Sequence, residues 1–302
     1  MLRLTLRFVV LLVALASNAG AGNIALVLSD TAGPYAEFSS TLAEALPDNT
    51  WKITFSGKPE NLNLAGKPID LIVTAGSEAF LQALNQPLTV PLIATLLPRQ
   101  TYEKILTEAG KGRNRVTAIY LDQPAKRQAS FLRRLLNNEK LRVGMLLSNE
   151  TSSLIAAYTQ TLRQSGMRLE SEEIAGNPQL IPALNNLLPK VDVLLALPDN
   201  TIYKRDNVKA ILVTTYRYKR PLIGFSHAFV NAGALASLYS TPAQIARQTA
   251  ELISNSSNAL PGPMPPSQFA ISINPSVADA LDLNIPDEAS IRRAMLADQG
   301  SR

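Results

Sequence analysis

The chain has 302 residues, of which 46% are hydrophobic, and a formal charge of +5 with no cysteine and a single histidine. The apolar share is ample for packed cores, and the missing cysteine excludes disulfides, thiolate metal sites, a cysteine nucleophile and a lipid-modified cysteine. Basic residues are scattered without interleaved aromatics, which gives no footprint for nucleic acid.

The first 21 residues read as a secretory signal peptide. Arg3 and Arg7 form a basic start, residues 8–16 are apolar, and Ala19, Gly20, Ala21 and Gly22 supply a small-residue cleavage site, placed after Ala21. The apolar run is too short to span about 30 Å of hydrocarbon, so the expected location is the periplasm. Removal of Arg3 and Arg7, with no acidic residue in that segment, takes the charge from +5 to +3.

Beyond it, residues 24–28 form an apolar strand that ends in a polar loop. A helix follows over 34–46, with Pro34 in its first turn. Strands are predicted over 51–55 and 69–74, the second running through Ala75-Gly76 to Ser77, which is placed as the cap of a helix ending at 84. Strands at 90–94 and 116–121 precede a helix over 122–137 and the clearest strand, 141–147. The pattern continues with a helix at 152–165, a strand at 167–174, a helix at 178–188 and a strand at 191–197. An uneven helix reaches about 215. Strands at 221–225 and 235–238 then lead to a helix at 242–254. Residues 255–267 read as a connection, and a short helix with a frayed tail closes the chain. The pairs Arg133-Arg134 and Arg292-Arg293 are placed on solvated helix faces.

Strands alternating with helices imply parallel sheets covered on both faces. Ten strands exceed one comfortable sheet, so the fold class is α/β, with two Rossmann-like three-layer lobes. Ligands in such sheets sit beyond the carboxyl ends of the strands. That rule selects the loops at Ser29-Asp30-Thr31, Thr74 to Glu78, Thr95, Asp122, Ser148-Asn149, Asp199-Asn200 and Ser226-His227. They are rich in hydroxyls and amides. Candidate ligand contacts are Ser29, Tyr35, Thr74, Gly76, Ser77, Thr95, Asp199, Asn200, Ser226 and His227. The exposed amides at Gly76-Ser77 suit an anion at a helix start, although Glu78 opposes one. Asp199 suits either a ligand ammonium or a helix cap. Tyr35 and Tyr203 are placed one turn into helices near the cleft, where either can stack on a ring or serve as a surface or packed tyrosine. His227 has no positioned nucleophile or acid partner, carboxylates do not cluster around it as a metal site requires, and no dinucleotide, phosphate-loop, esterase or zinc-protease motif occurs. No catalytic residue, metal or cofactor is assigned.

Several stretches resemble the ABC transporter substrate-binding proteins with the type 1 periplasmic fold. They are VTAGSEAF at 73–80, RVGMLLSNETSS at 142–153, VDVLLALPDNTI at 191–202, KRPLIGF at 219–225, GALASLYSTPAQIARQTAELI at 233–253 and INPSVADALDLNI at 273–285. The resemblance covers roughly residues 70–287, and some members of that family are linked to aromatic amino acids. It implies a chain that crosses between its lobes three times. The N-terminal lobe comprises 22–121 plus 239–260, the C-terminal lobe 122–238 plus 261–290, and 291–302 are a tail. It also implies a monomeric receptor that closes on a small molecule and delivers it to an inner-membrane ABC permease. The loop SDTAGPYAEF and the pair Ser240-Thr241 depart from the family's pattern, so a sensory or accessory module reporting to a membrane receptor is the alternative. An exported enzyme working through Asp122, Asp199 or His227 ranks last, for want of a paired acid and base.

Overall fold

The computed structural model describes residues 21–300 apart from 48, 63–65, 67, 88, 111–114 and 257–258. The expected signal peptide lies, but for Ala21, outside the described residues. Among the described residues no helix is long and apolar enough to cross a membrane.

The first lobe is built on a five-stranded parallel sheet in the order β2-β1-β3-β4-β5. Its strands are β1 (Gly22–Leu28), β2 (Trp51–Gly57), β3 (Leu71–Ala75), β4 (Leu92–Leu97) and β5 (Val116–Tyr120). β1 and β3 are apolar at nearly every position because helices cover both faces of a parallel sheet. Ile24, Leu26 and Leu28 pack with α1 (Pro34–Ala45), while Ala25 and Val27 pack with α2 (Ser77–Asn85) and α3 (Arg99–Glu108). β2, at the edge, alternates between half-buried and exposed residues. The sequence reading names no element at α3, whose buried face is Tyr102, Ile105 and Leu106.

The second lobe holds a six-stranded sheet in the order β11-β10-β9-β8-β6-β7. Its strands are β6 (Arg142–Leu147), β7 (Arg168–Glu173), β8 (Val193–Leu195), β9 (Leu222–Gly224), β10 (Ala236–Tyr239) and β11 (Ala270–Ile273). All pairings are parallel except β10 with β11. One face is covered by α4 (Ala125–Leu136), α5 (Ile155–Gln164), α10 (Pro275–Ala280) and α11 (Glu288–Gly300). The other is covered by α6 (Asn177–Leu187), α7 (Arg205–Arg217) and α8 (His227–Ala232). Every predicted strand has its counterpart. β11 is the addition, a four-residue antiparallel strand too short to show a period of its own.

The chain passes between the lobes three times, after β5, after β10 and before β11. α9 (Pro242–Asn255) belongs to the first lobe, where Ile245, Ala246, Ala250 and Ile253 complete the core over α1. Thr241 begins it with a capping box, its side chain and that of Gln244 each accepting the other's backbone N–H at 3.1 and 3.0 Å. Met264 still pairs with the edge of the first sheet, bonding to Ala118 and Tyr120 of β5. The third crossing therefore starts after residue 264, beyond the expected boundary at 261.

Buried side chains tie the three crossings together. Gln123 Nε2 donates to Ser240 Oγ at 2.8 Å, and Ser240 Oγ donates to the Gln268 carbonyl at 2.6 Å. Arg127 donates to Gln123 Oε1 at 2.7 Å and to the carbonyls of Pro266 and Ser267 at 2.9 and 3.1 Å. From the first lobe, Gln248 takes the Ser267 N–H at 2.8 Å.

One expectation at the chain end requires correction. Residues 291–300 are helix rather than tail, because Ile291 and Met295, both 2% exposed, enter the second lobe's core. Arg133 and Arg134 lie with partly exposed side chains on α4, and both reach Asp298 of α11, at 3.6 and 2.9 Å. Truncating Ile291 to alanine in α11 is predicted to cost about 2–4 kcal/mol in urea unfolding, a loss that a frayed tail would not show.

Candidate functional site

In the first lobe the strand ends converge on Gly76. This residue has φ +94°, and a side chain there would collide with Ser29 Oγ and come within 2.9 Å of Tyr35 Cε1, so only glycine fits. Gly76 holds the N-cap position of α2, and its own N–H is bound to the Thr95 carbonyl at 2.8 Å. A glycine cap has no side chain to accept from the helix start. Ser29 Oγ supplies the acceptor instead, taking the Ala79 N–H at 2.9 Å. Ser77 therefore does not cap its helix as expected; it is the first helical residue, half-buried. Ser29, Tyr35, Gly76 and Ser77 are thus brought together at one rim. Burial, and next the charge of Asp30, hold the Tyr35 phenol above its ordinary pKa. Thr74 and Thr95 lie beneath this rim, fully buried, with Thr95 Oγ1 donating to the Thr74 carbonyl at 2.8 Å.

In the second lobe Asp199 is the organising group. One carboxylate oxygen accepts from Ser148 Oγ at 2.7 Å and Thr151 Oγ1 at 2.6 Å. The other accepts the N–H groups of Thr201 and Ile202 at 2.9 and 3.0 Å. Four protein donors occupy a carboxylate that is 3% exposed, and they tie the turn after β6 to the turn after β8. Asp199 also does not cap the next helix, since α7 begins only at Arg205. Asn200 beside it is exposed, and its N–H reaches Glu150 at 3.2 Å. Tyr203 is buried among aromatics, with Phe225 and Phe229 rings at 5.9 and 6.0 Å. Its hydroxyl has no partner among the described residues.

Ser226 and His227 sit at the side of the crossings. Where a loop was expected, His227 begins the short helix α8 behind Ser226, with Nδ1 3.0 Å from Ser272 Oγ on β11. Its ring lies 6.3 Å from that of Tyr239, the last residue before the second crossing. Among the described residues no group of three His, Cys, Asp or Glu side chains is placed to hold a metal ion.

A cavity of about 800 Å³ opens between the lobes beside the crossings. Its first-lobe wall is α3, carrying Arg99, Tyr102 and Glu103, together with Tyr120 of β5. Leu154, Ala157 and Tyr158 at the start of α5 form its second-lobe wall, and Asp122 stands between them on the first crossing. Away from the crossings, Gln100 Nε2 reaches across to Ser153 Oγ at 3.4 Å. Asp122 was foreseen as one strand end among several and as a residue of the last-ranked enzyme reading. Arg99, Tyr102 and Glu103 escape a sequence reading because they lie on the unnamed helix α3. Tyr158 escapes because it is an ordinary apolar-face position of its own helix.

Burial pushes the Asp122 carboxyl up to about 6, against the opposing pull of the Arg99 N–H, which donates to it at 2.7 Å, and of the Arg99 charge; Glu103 adds to the rise. Burial raises the Tyr120 phenol to about 12, and raises Tyr158 as well, with Asp122 contributing. Both phenols are therefore neutral across the physiological range. The Arg99 guanidinium is held by Glu103 at 2.7 Å.

Residues 58–295 match the ABC transporter substrate binding protein family. The chain belongs to that family. The fold agrees with solved structures at low sequence identity. A conserved domain protein from Vibrio cholerae has a TM-score of 0.60 at 19% identity over 92% of this chain and 98% of its own. A Streptococcus pneumoniae ABC domain in complex with L-Trp has 0.61 at 18% over 91% and 98%. The ligand-free, open form of a Clostridium difficile substrate binding protein with adhesive properties has 0.67 at 15% over 88% and 97%. No curated protein is a detectable relative of the chain.

The raised Asp122 carboxyl makes a pH-dependent contribution to stability. A carboxyl whose folded pKa exceeds its unfolded value stabilises fully below the unfolded value of about 4, and that contribution is lost as pH rises through about 6. Asp122→Asn is therefore predicted to match wild type in urea unfolding at pH 4 and to gain on it by about 1–2 kcal/mol at pH 7. This gain is below the full linkage value because the carboxylate borders an open cavity. A variant less stable than wild type at pH 7 contradicts the assignment.

Proposed function

We propose that the chain is an exported, periplasmic receptor for a small amino-acid-like or organic molecule, which it binds between its lobes and delivers to an inner-membrane ABC permease. The interlobe cavity carries this reading, since both lobes and the first crossing contribute walls to it. A ligand there touches groups from both lobes at once and so stabilises the state in which they approach. Its volume falls in the usual range for small-molecule sites. The rims add hydrogen-bonding groups suited to a polar solute, with Ser29, Tyr35 and the Gly76-Ser77 turn on one side and the Asn200 amide on the other. Thr74 and Thr95 support the first rim from below, and Asp199 holds the second in shape. Ser226 and His227 flank the crossings, where closure would shift them.

In this proposal the signal peptide over residues 1–21 directs export, the receptor works as a monomer, and it carries out no chemistry on its cargo. Family membership supports the coupling to a permease. The pneumococcal structure described with L-Trp is a neighbour of the same size and fold, which supports a ligand of metabolite dimensions.

Thermal melting against a library of amino acids, amines, carboxylates and sugars tests the proposal. A ligand that binds only the native state adds about 2.7 kcal/mol at a hundredfold excess over its Kd, so one chemical class should raise the melting temperature by several degrees. A well-folded protein with no shift across the whole library would count against a receptor role.

A further inference from the structure

We infer that the interlobe cavity takes an organic cation, an amine or quaternary ammonium with a small apolar body, with Asp122 as its counter-ion and tyrosine rings among its walls. The inference rests on the receptor reading above and adds the ligand's chemical class.

The charges facing the cavity decide the sign of the ligand. They are Arg99 and Glu103 on α3 and Asp122 on the first crossing. Arg99 Nε is committed to Glu103 Oε1 at 2.7 Å, so that pair cancels. Asp122 receives the backbone N–H of Arg99 and no side-chain donor among the described residues. Of the tyrosines in the walls, Tyr120 and Tyr158 are held neutral by burial, and the Tyr102 hydroxyl donates to the Val116 carbonyl at 3.4 Å. One carboxylate is therefore left without a side-chain partner of its own, among the described residues, beside a space large enough for a metabolite. An anion there would face both Asp122 and Glu103. A cation finds a partner that water now solvates only in part. The raised proton affinity of Asp122 reports the same deficit, and a cation beside it would lower that affinity again.

The walls fit the remainder of such a ligand. Tyr120 of the first lobe and Tyr158 of the second have no protein partner for their hydroxyls among the described residues, and Tyr102 meets Tyr120 edge to face at 5.7 Å. Aromatic faces attract ammonium groups, and Leu106 and Leu154 supply apolar surface. Because Asp122 stands on a crossing, a cation bound to it is placed where both lobes can close on it.

The test is calorimetric titration of wild type and Asp122→Asn with benzyltrimethylammonium and phenethylamine, and with benzyl alcohol and phenylacetate as neutral and anionic counterparts. Both cations should bind wild type at pH 7.5, at least tenfold more weakly to Asp122→Asn, and the counterparts should bind neither. Wild type alone supplies a second reading. Benzyltrimethylammonium keeps its charge at every pH, so its affinity should fall as pH drops through about 6, where Asp122 takes up a proton. Cations that do not bind, that bind both proteins equally, or that bind independently of pH overturn the inference, as does preferential binding of phenylacetate. If the cations fail while another class in the melting library binds, only the cation assignment falls. If nothing in that library binds, the receptor reading falls with it.

Discussion

Two hydrogen bonds at Ser240 hold the architecture together. Its hydroxyl accepts from Gln123 on the first crossing and donates to the Gln268 carbonyl on the third, while Ser240 itself lies on the second. A hydroxyl offers one donor and two acceptor sites, so a single side chain can join three segments this way. Gln123 and Ser240 are 5% and 7% exposed, and a buried polar group left unpaired costs about 1–3 kcal/mol. The crossings therefore stay in register with one another. Sliding one lobe against the other would break these buried bonds. Ser240 is a connector, and Thr241 is a helix cap.

The same economy of polar groups shapes the cleft. The charged side chain most suggestive of ligand binding in the second lobe, Asp199, is saturated by Ser148, Thr151, Thr201 and Ile202, and its work is to fix two turns. In the first lobe Ser29 replaces the cap that Gly76 lacks. These groups preorganise the rims, which lowers the cost of ordering them on binding. What remains for a ligand is the half-exposed remainder of the rims and the cavity beside the crossings, where Asp122 has no side-chain partner among the described residues.

Much of this was legible in the sequence because parallel strands covered on both faces are written as apolar runs. Residues 24–28, 141–147 and 191–197 announced themselves in that way, and the small residues of 233–253 gave the strand and helix on either side of the second crossing. What stayed hidden depended on contacts distant in the chain. α3 is polar on most of its surface and shows its apolar face only through Tyr102, Ile105 and Leu106. β11 is four residues long and antiparallel. α11 is amphipathic only weakly, and its burial rests on Ile291 and Met295 meeting a core assembled from elsewhere. In the site, strand-end loops were recoverable from the rule that ligands sit beyond parallel strands. Roles within them were not. Asp199 as a hub needs Ser148, some fifty positions earlier, and the cavity's walls join α3 to α5 across the gap between lobes.

The central claim is that ligand binding draws the two lobes together about the crossings. The chain has no native cysteine, so a spin-label pair at Glu108→Cys on α3 and Gln160→Cys on α5, both exposed positions, reports their separation without competing sites. Pulsed dipolar spectroscopy, with and without a ligand that raises the melting temperature, measures it directly. The account predicts a shorter and narrower distance distribution when the ligand is bound. An unchanged distribution at saturating ligand would contradict it.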